Sequence, residues 1–98
     1  MRRSVCVDEN NGDGRVHRVM KYVYIINSLE NSDRYYVGIT GDLKARLAKH
    51  NAKEVTHTSK FAPWKLKTYI AFDNDERAFA FEKYLKSASG RAFAKKRL

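Results

Sequence analysis

A single domain of the α/β class, in its α+β form, is predicted by three observations. Two short segments rich in Tyr, Val and Ile, 20–27 and 34–40, are separated by turn-forming residues. A third segment of the same character runs from Trp64 to Phe72. Two further segments place apolar residues at helical spacing behind residues that cap helices.

Taken in chain order, residues 1–19 are polar and contain glycine, so they read as an N-terminal extension. Asp8–Gly14 resembles a calcium loop only in outline, with Gly12 at its fifth position and Val19 at its twelfth. The remaining residues, 20–98, form the expected domain. Strand composition begins at Met20 and ends at Asn27, and Ser28 to Asp33 supply a turn. With so short a connection, the segment ending at Thr40 pairs back as an antiparallel hairpin. Thr40 or Asp42 caps a helix that runs to about Asn51. Lys53 to Pro63 has no period and reads as a basic loop. In the third strand, alternation puts Trp64, Leu66, Thr68 and Ile70 on one face and Tyr69 on the other. Asp73-Asn74-Asp75 caps a second helix reaching about Ser87. Gly90 marks a break, followed by a short last helix over 91–96.

Composition narrows the function classes. No apolar run approaches the length of a membrane span or a signal-peptide core, and no membrane partner is expected. Cys6 is the only cysteine, so an internal disulfide is impossible and a reducing cytoplasm fits. The formal charge is +9, unevenly placed. Residues 1–40 carry six basic and five acidic groups, whereas 41–98 carry fourteen and six. One-sided positive charge attracts polyanions, nucleic acid above all. Lys44, Lys49, Lys60, Lys83, Lys86 and Arg91 are the cations expected to meet phosphate.

Ionisable groups stand where apolar ones belong. Leu43, Arg46, Leu47 and His50 follow i, i+3, i+4, i+7 and share a helix face, while Lys44 and Lys49 point elsewhere. Arg46 either snorkels at the rim or serves a site, and His50 is either structural or chemical. On the second helix, Phe79 and Phe81 flank Ala78 and Leu85, and Glu82 falls between Ala78 and Phe79. A carboxylate there either bends outward or has a role that needs its charge. Tyr22 and Tyr24 share one face of the hairpin, with Tyr36 on the adjacent strand. Tyr, His, Arg and one Glu suit phosphodiester hydrolysis, which needs an activated water, a cation on the developing charge and help for the leaving oxygen. Phosphate-loop, zinc-finger and serine-elbow signatures are absent from the sequence.

Tyr22-Val23-Tyr24 and Tyr36-Val37-Gly38, followed by Asp42-Leu43-Lys44-Ala45-Arg46-Leu47 and His50-Asn51, resemble the ordered signatures of the GIY-YIG nucleases. Glu82-Lys83-Tyr84-Leu85-Lys86-Ser87 and Ser89-Gly90-Arg91 resemble the ending of that family's small single-domain branch. That branch is similar to the incision module of the bacterial nucleotide-excision-repair nuclease. The resemblance covers residues 21–98. It implies a three-stranded antiparallel sheet flanked by helices. It also implies Glu82 as ligand of Mg²⁺ (or Mn²⁺), Arg46 as the catalytic arginine, and Tyr24 and Tyr36 as paired active-site tyrosines with His50 beside them. Either tyrosine is then open as the base. Tyr22 stands where the first signature usually has glycine, and Ala94 where many relatives have asparagine, with Ser87 and Ser89 nearest to replace it. DNA is the expected substrate and RNA the alternative. Specificity is low, structure-based or borrowed from a protein partner. A different class of reading is a nucleic-acid-binding module that keeps the fold without catalysis, which Ala94 favours.

Overall fold

Alternate residues of the central strand serve opposite layers, and this organises the molecule. A computed structural model of the chain describes residues 20–98; the expected extension, 1–19, lies outside the described residues. Strands β1 (Lys21–Ser28), β2 (Tyr35–Thr40) and β3 (Trp64–Phe72) form an antiparallel sheet in the order β2-β1-β3. Helix α1 (Leu43–Asn51) follows β2, while α2 (Asp75–Leu85) and α3 (Ala88–Arg97) follow β3. Central β1 is covered on both faces, which is why Val23, Tyr24, Ile25 and Ile26 are all buried rather than alternating. Val23, Ile25 and Val37 meet Ala78 and Leu85, with Phe72, Phe81, Phe93 and Ala94 packed around them. Tyr24 and Ile26 meet Ala62 and Trp64 on the opposite face, with Tyr36, Leu43, Leu47 and Phe61. Fully burying a side chain such as Ile26 or Leu85 stabilises by roughly 1.5–3 kcal/mol.

Local chemistry sets the boundaries. The hairpin connection is held by Ser28, whose Oγ accepts from the backbone N–H groups of Glu30 and Asn31 and donates to the Phe61 carbonyl. Asp42, Asn74 and Ser87 cap α1, α2 and α3, each accepting from the backbone N–H three residues on. Lys95, Lys96 and Arg97 in the last turn of α3 complement its dipole.

Three sequence expectations are corrected. The face assignment along β3 breaks because the β1–β3 ladder carries a bulge. Ile25 pairs with Thr68 and Ile26 with Leu66, so Lys67 is skipped. Thr68, Ile70 and Phe72 therefore share the side of Val23 and Ile25, while Trp64, Leu66 and Tyr69 share that of Tyr24 and Ile26. The helical break falls at Lys86–Ser87, and Gly90 lies inside α3. A Cβ on Gly90 would overlap the backbone of Tyr84 and Leu85, so glycine is there for helix contact and not for a turn. Finally, Phe79 is 53 % exposed. The buried stripe of α2 is Ala78, half-buried Phe81 and Leu85, spaced i, i+3, i+7.

Candidate active site

The polar groups converge on the sheet face covered by α1. Across the β1–β2 ladder Tyr24 opposes Gly38 and Ile26 opposes Tyr36, so both tyrosines project to the same side. Gly38 has a definite task, because a Cβ there would overlap the Tyr24 phenol ring and hydroxyl. The phenol lies across β2 only because that residue is glycine. His50 comes from the last turn of α1, and Leu43, Arg46 and Leu47 on its stripe are half-buried, as the spacing requires.

Tyr24 is 2 % exposed and His50 0 %. The Tyr24 hydroxyl lies 2.8 Å from His50 Nε2, and Arg46 Nε donates to the same phenol oxygen at 3.4 Å. Behind the imidazole, Nδ1 lies 2.7 Å from Thr58 Oγ1. Thr58 Oγ1 also donates to the Val55 carbonyl at 3.3 Å. With that hydroxyl proton engaged, Thr58 accepts from Nδ1–H. Nε2 then keeps its lone pair and accepts the phenol proton. The rings are close as well, with Tyr36 and His50 centroids 5.2 Å apart and Tyr24 and Tyr36 6.4 Å apart.

Electrostatics agree with a neutral ring. Burial pulls His50 below its ordinary value of 6.5, and the charge of Arg46 adds to the effect, so the imidazole is neutral at neutral pH. Burial pushes the Tyr24 phenol above its ordinary 10.0. The hydrogen bond and charge of Arg46 oppose that push, and the charge of Glu82 adds to it. The hydrogen bond to Tyr24 raises the Arg46 pKa, keeping the guanidinium charged. The arrangement is a neutral phenol that donates to a neutral imidazole while a fixed cation faces the phenol oxygen. If the phenol proton moves to Nε2, the cation stabilises the phenolate left behind.

Glu82 reaches this region from α2. Its side chain is 18 % exposed and pairs with Lys86 Nζ at 2.7 Å. It is thus partnered at the rim rather than isolated in the core, because it sits at the edge of the α2 stripe. Lys86 Nζ also stands 5.9 Å from the Tyr36 ring centroid, so one ammonium bridges the glutamate and the second tyrosine. Among the described residues no group of three His, Cys, Asp or Glu side chains comes together. A donor set of one carboxylate suits a hard cation that keeps several waters, such as Mg²⁺, and does not suit zinc.

The other residues named from sequence separate. Lys44, Lys49, Lys60 and Lys83 are exposed on α1, the loop and α2. Only Lys86 and Arg91 line a hollow together with Tyr36. Tyr22 packs edge-on against Tyr69. Ala94 packs against the apolar core and fills no polar role. The Ser87 hydroxyl is engaged by the Tyr84 carbonyl and the Gly90 N–H. Two participants were given no role from the sequence. Thr58 lies in a segment without a period, and no sequence signal marked it. Asn51, next to His50, accepts from the Trp64 N–H and donates to the Trp64 carbonyl, fixing the end of α1 against the start of β3.

Comparison with known proteins identifies the family. Residues 20–97 match the family model described as the GIY-YIG catalytic domain. The chain is 36 % identical over 72 residues to UPF0213 proteins of Streptococcus pyogenes strains MGAS315, SSI-1 and Manfredo. Each match covers 72 % of this chain and 76 % of the relative. Among the described residues no helix is long and apolar enough to cross a membrane.

Proposed function

The chain belongs to the GIY-YIG family and is an endonuclease, a phosphodiester hydrolase, and from that premise we propose that it cuts DNA with one divalent cation held at Glu82. The observation that carries the proposal is the hydrogen-bonded series Arg46–Tyr24–His50–Thr58, packed against Tyr36 and within reach of the charge of Glu82. A series built only for packing has no use for a charged guanidinium aimed at a buried phenol.

In this reading the scissile phosphate sits against Arg46, whose unused N–H groups fork onto its oxygens as negative charge builds. Tyr24 takes a proton from the attacking water while passing its own to His50 Nε2, so no free phenolate accumulates. Thr58 holds the imidazole in the accepting tautomer. Tyr36, on the same sheet face, orients the water or the phosphate. Glu82 would hold Mg²⁺ or Mn²⁺, and the ion when bound supplies Lewis-acid stabilisation of the phosphate and leaving oxygens. Lys86 must give up its pairing with Glu82 for that to happen, and its ammonium remains within reach of phosphate. Unpaired cations on the exposed faces supply the sequence-independent part of DNA binding.

The test is Glu82→Gln, which keeps size and packing. Nicking of supercoiled plasmid in Mg²⁺ should collapse, while DNA affinity holds or rises because a negative charge near the phosphates is gone. Full nicking activity in Glu82→Gln would refute the assigned cation site. Cleavage of RNA in preference to DNA by the wild-type protein would move the substrate class.

A further inference from the structure

Two hollows share the lining residues Tyr35 of edge strand β2 and Arg91 of α3. One, of about 290 Å³, is lined by Tyr36, Val37, Leu85 and Lys86 together with Tyr35 and Arg91. The other, of about 410 Å³, is lined by the same Tyr35 and Arg91, and continues past Asn27 to Lys67 and Lys95. They adjoin at Tyr35 and Arg91, and together they run as a groove from Tyr36 past edge strand β2 to the sheet face under α3, where Ile25, Asn27 and Lys67 line the second. Tyr35 and Tyr36 are neighbours on that strand, so their rings point to opposite faces. Tyr36 faces the site, and Tyr35 faces the far part of the groove with 47 % of its surface exposed.

We propose that the DNA strand being cut continues from the active site through this groove as unpaired nucleotides, one base stacking on Tyr35 and a phosphate held by Arg91. The inference rests on the nuclease reading and names the form of its substrate. Charge complementarity supports this occupant. Lys86, Arg91, Lys67 and Lys95 line the path, and Asp33 is the one acidic side chain among the described lining residues. An exposed ring beside such cations is the pairing that single-strand binding uses, with aromatic faces for bases and a basic track for the backbone. Duplex offers Tyr35 nothing comparable, because its base faces are already stacked. The structure therefore assigns the groove to a frayed, flapped or gapped strand next to the cut.

The test is binding, read apart from cleavage. In full-length protein carrying Glu82→Gln, fluorescence anisotropy would follow a labelled short oligothymidine and a blunt duplex of equal length. Adding Tyr35→Ala should weaken oligothymidine binding on the order of tenfold and leave the duplex nearly unchanged. Tyr35→Phe, which keeps the ring, should restore the loss. Arg91→Gln should lower the salt slope for oligothymidine by about one. Unaltered oligothymidine affinity in Tyr35→Ala, or an equal loss on both probes, overturns the proposal. Retained nicking by Glu82→Gln would instead overturn the cation site and leave the groove to be judged by the Tyr35 variants.

Discussion

Removing one oxygen, in Tyr24→Phe, tests both the stability and the chemistry of the buried series. The ring remains, so no cavity opens and the apolar burial of Tyr24 is kept. What disappears is the donor to His50 Nε2 at 2.8 Å and the acceptor for Arg46 Nε at 3.4 Å. Arg46 is only half-buried and can turn to water. His50 cannot, since it is fully enclosed, and its Nε2 is left with an unmet hydrogen bond. An orphaned buried acceptor costs about 1–3 kcal/mol, and each kcal/mol lowers the melting temperature of a domain this size by about 4–8 °C. If the phenol oxygen also relays the water's proton, single-turnover nicking should fall by about two to four orders of magnitude. Calorimetry and a nicking time course on the same preparation give both numbers. Lost stability with intact cleavage would make the series purely structural. Loss of neither would remove Tyr24 from both roles.

Arg46→Lys keeps a positive charge but loses the planar fork, so cleavage should drop on the order of a hundredfold with DNA affinity nearly unchanged; normal turnover would place the residue outside the site. Gly38→Ala should act on Tyr24 at a distance in sequence, costing about 1–3 kcal/mol by overpacking and reducing cleavage as Tyr24→Phe does, and a melting curve matching wild type would contradict the overlap. The pH dependence follows from His50, whose folded pKa lies below 6.5. Above 6.5 the imidazole is neutral in both folded and unfolded chains, so both its stabilising contribution and its lone pair are fully present. As the pH falls below 6.5 the unfolded chain takes up the proton first. That stability is lost progressively down to the folded pKa, where cleavage also fails. An inflection in kcat/KM above 6.5 would point to another group.

How much of this was legible in sequence depended on whether the information was periodic. The stripe Leu43, Arg46, Leu47, His50 is a statement about 3.6-residue geometry, and because α1 is regular Arg46 and His50 share the face that meets Tyr24. Strand β3 was bounded correctly at Trp64 and Phe72, yet its faces were misassigned beyond the bulge. An extra lysine leaves no compositional trace between Leu66 and Thr68. The pairing of Glu82 with Lys86 is an ordinary i, i+4 contact, legible in principle but hidden by attention to the apolar neighbours of the glutamate. Thr58 was illegible because it reaches His50 through a loop whose path only tertiary contacts define, with the Trp64 indole donating to the Thr58 carbonyl. Gly38 was read as part of a signature, and its physical reason appears only when Tyr24 is seen lying across it.

The bulge opposite Ile25 and Ile26 bears on how this chain can change length. Because Lys67 is passed over by the ladder, β3 serves two masters: its first half completes the layer around Tyr24, and its second half completes the layer under α2 and α3. Excising that single lysine makes Leu66 and Thr68 neighbours that still face opposite sides, whereas drawing Lys67 into a regular ladder would leave one half facing the wrong way. Either the Trp64 indole would turn from the catalytic side, taking its bond to Thr58 with it, or Ile70 and Phe72 would leave the helical side. Substitutions at Lys67 cost little, since its side chain is exposed. Regularising the ladder with Lys67 in place is a different kind of event, equivalent to many simultaneous core substitutions. Loss of Lys67 is therefore the change in length that β3 can absorb, and the bulge is what lets Trp64 and Ile70 serve opposite faces of one strand.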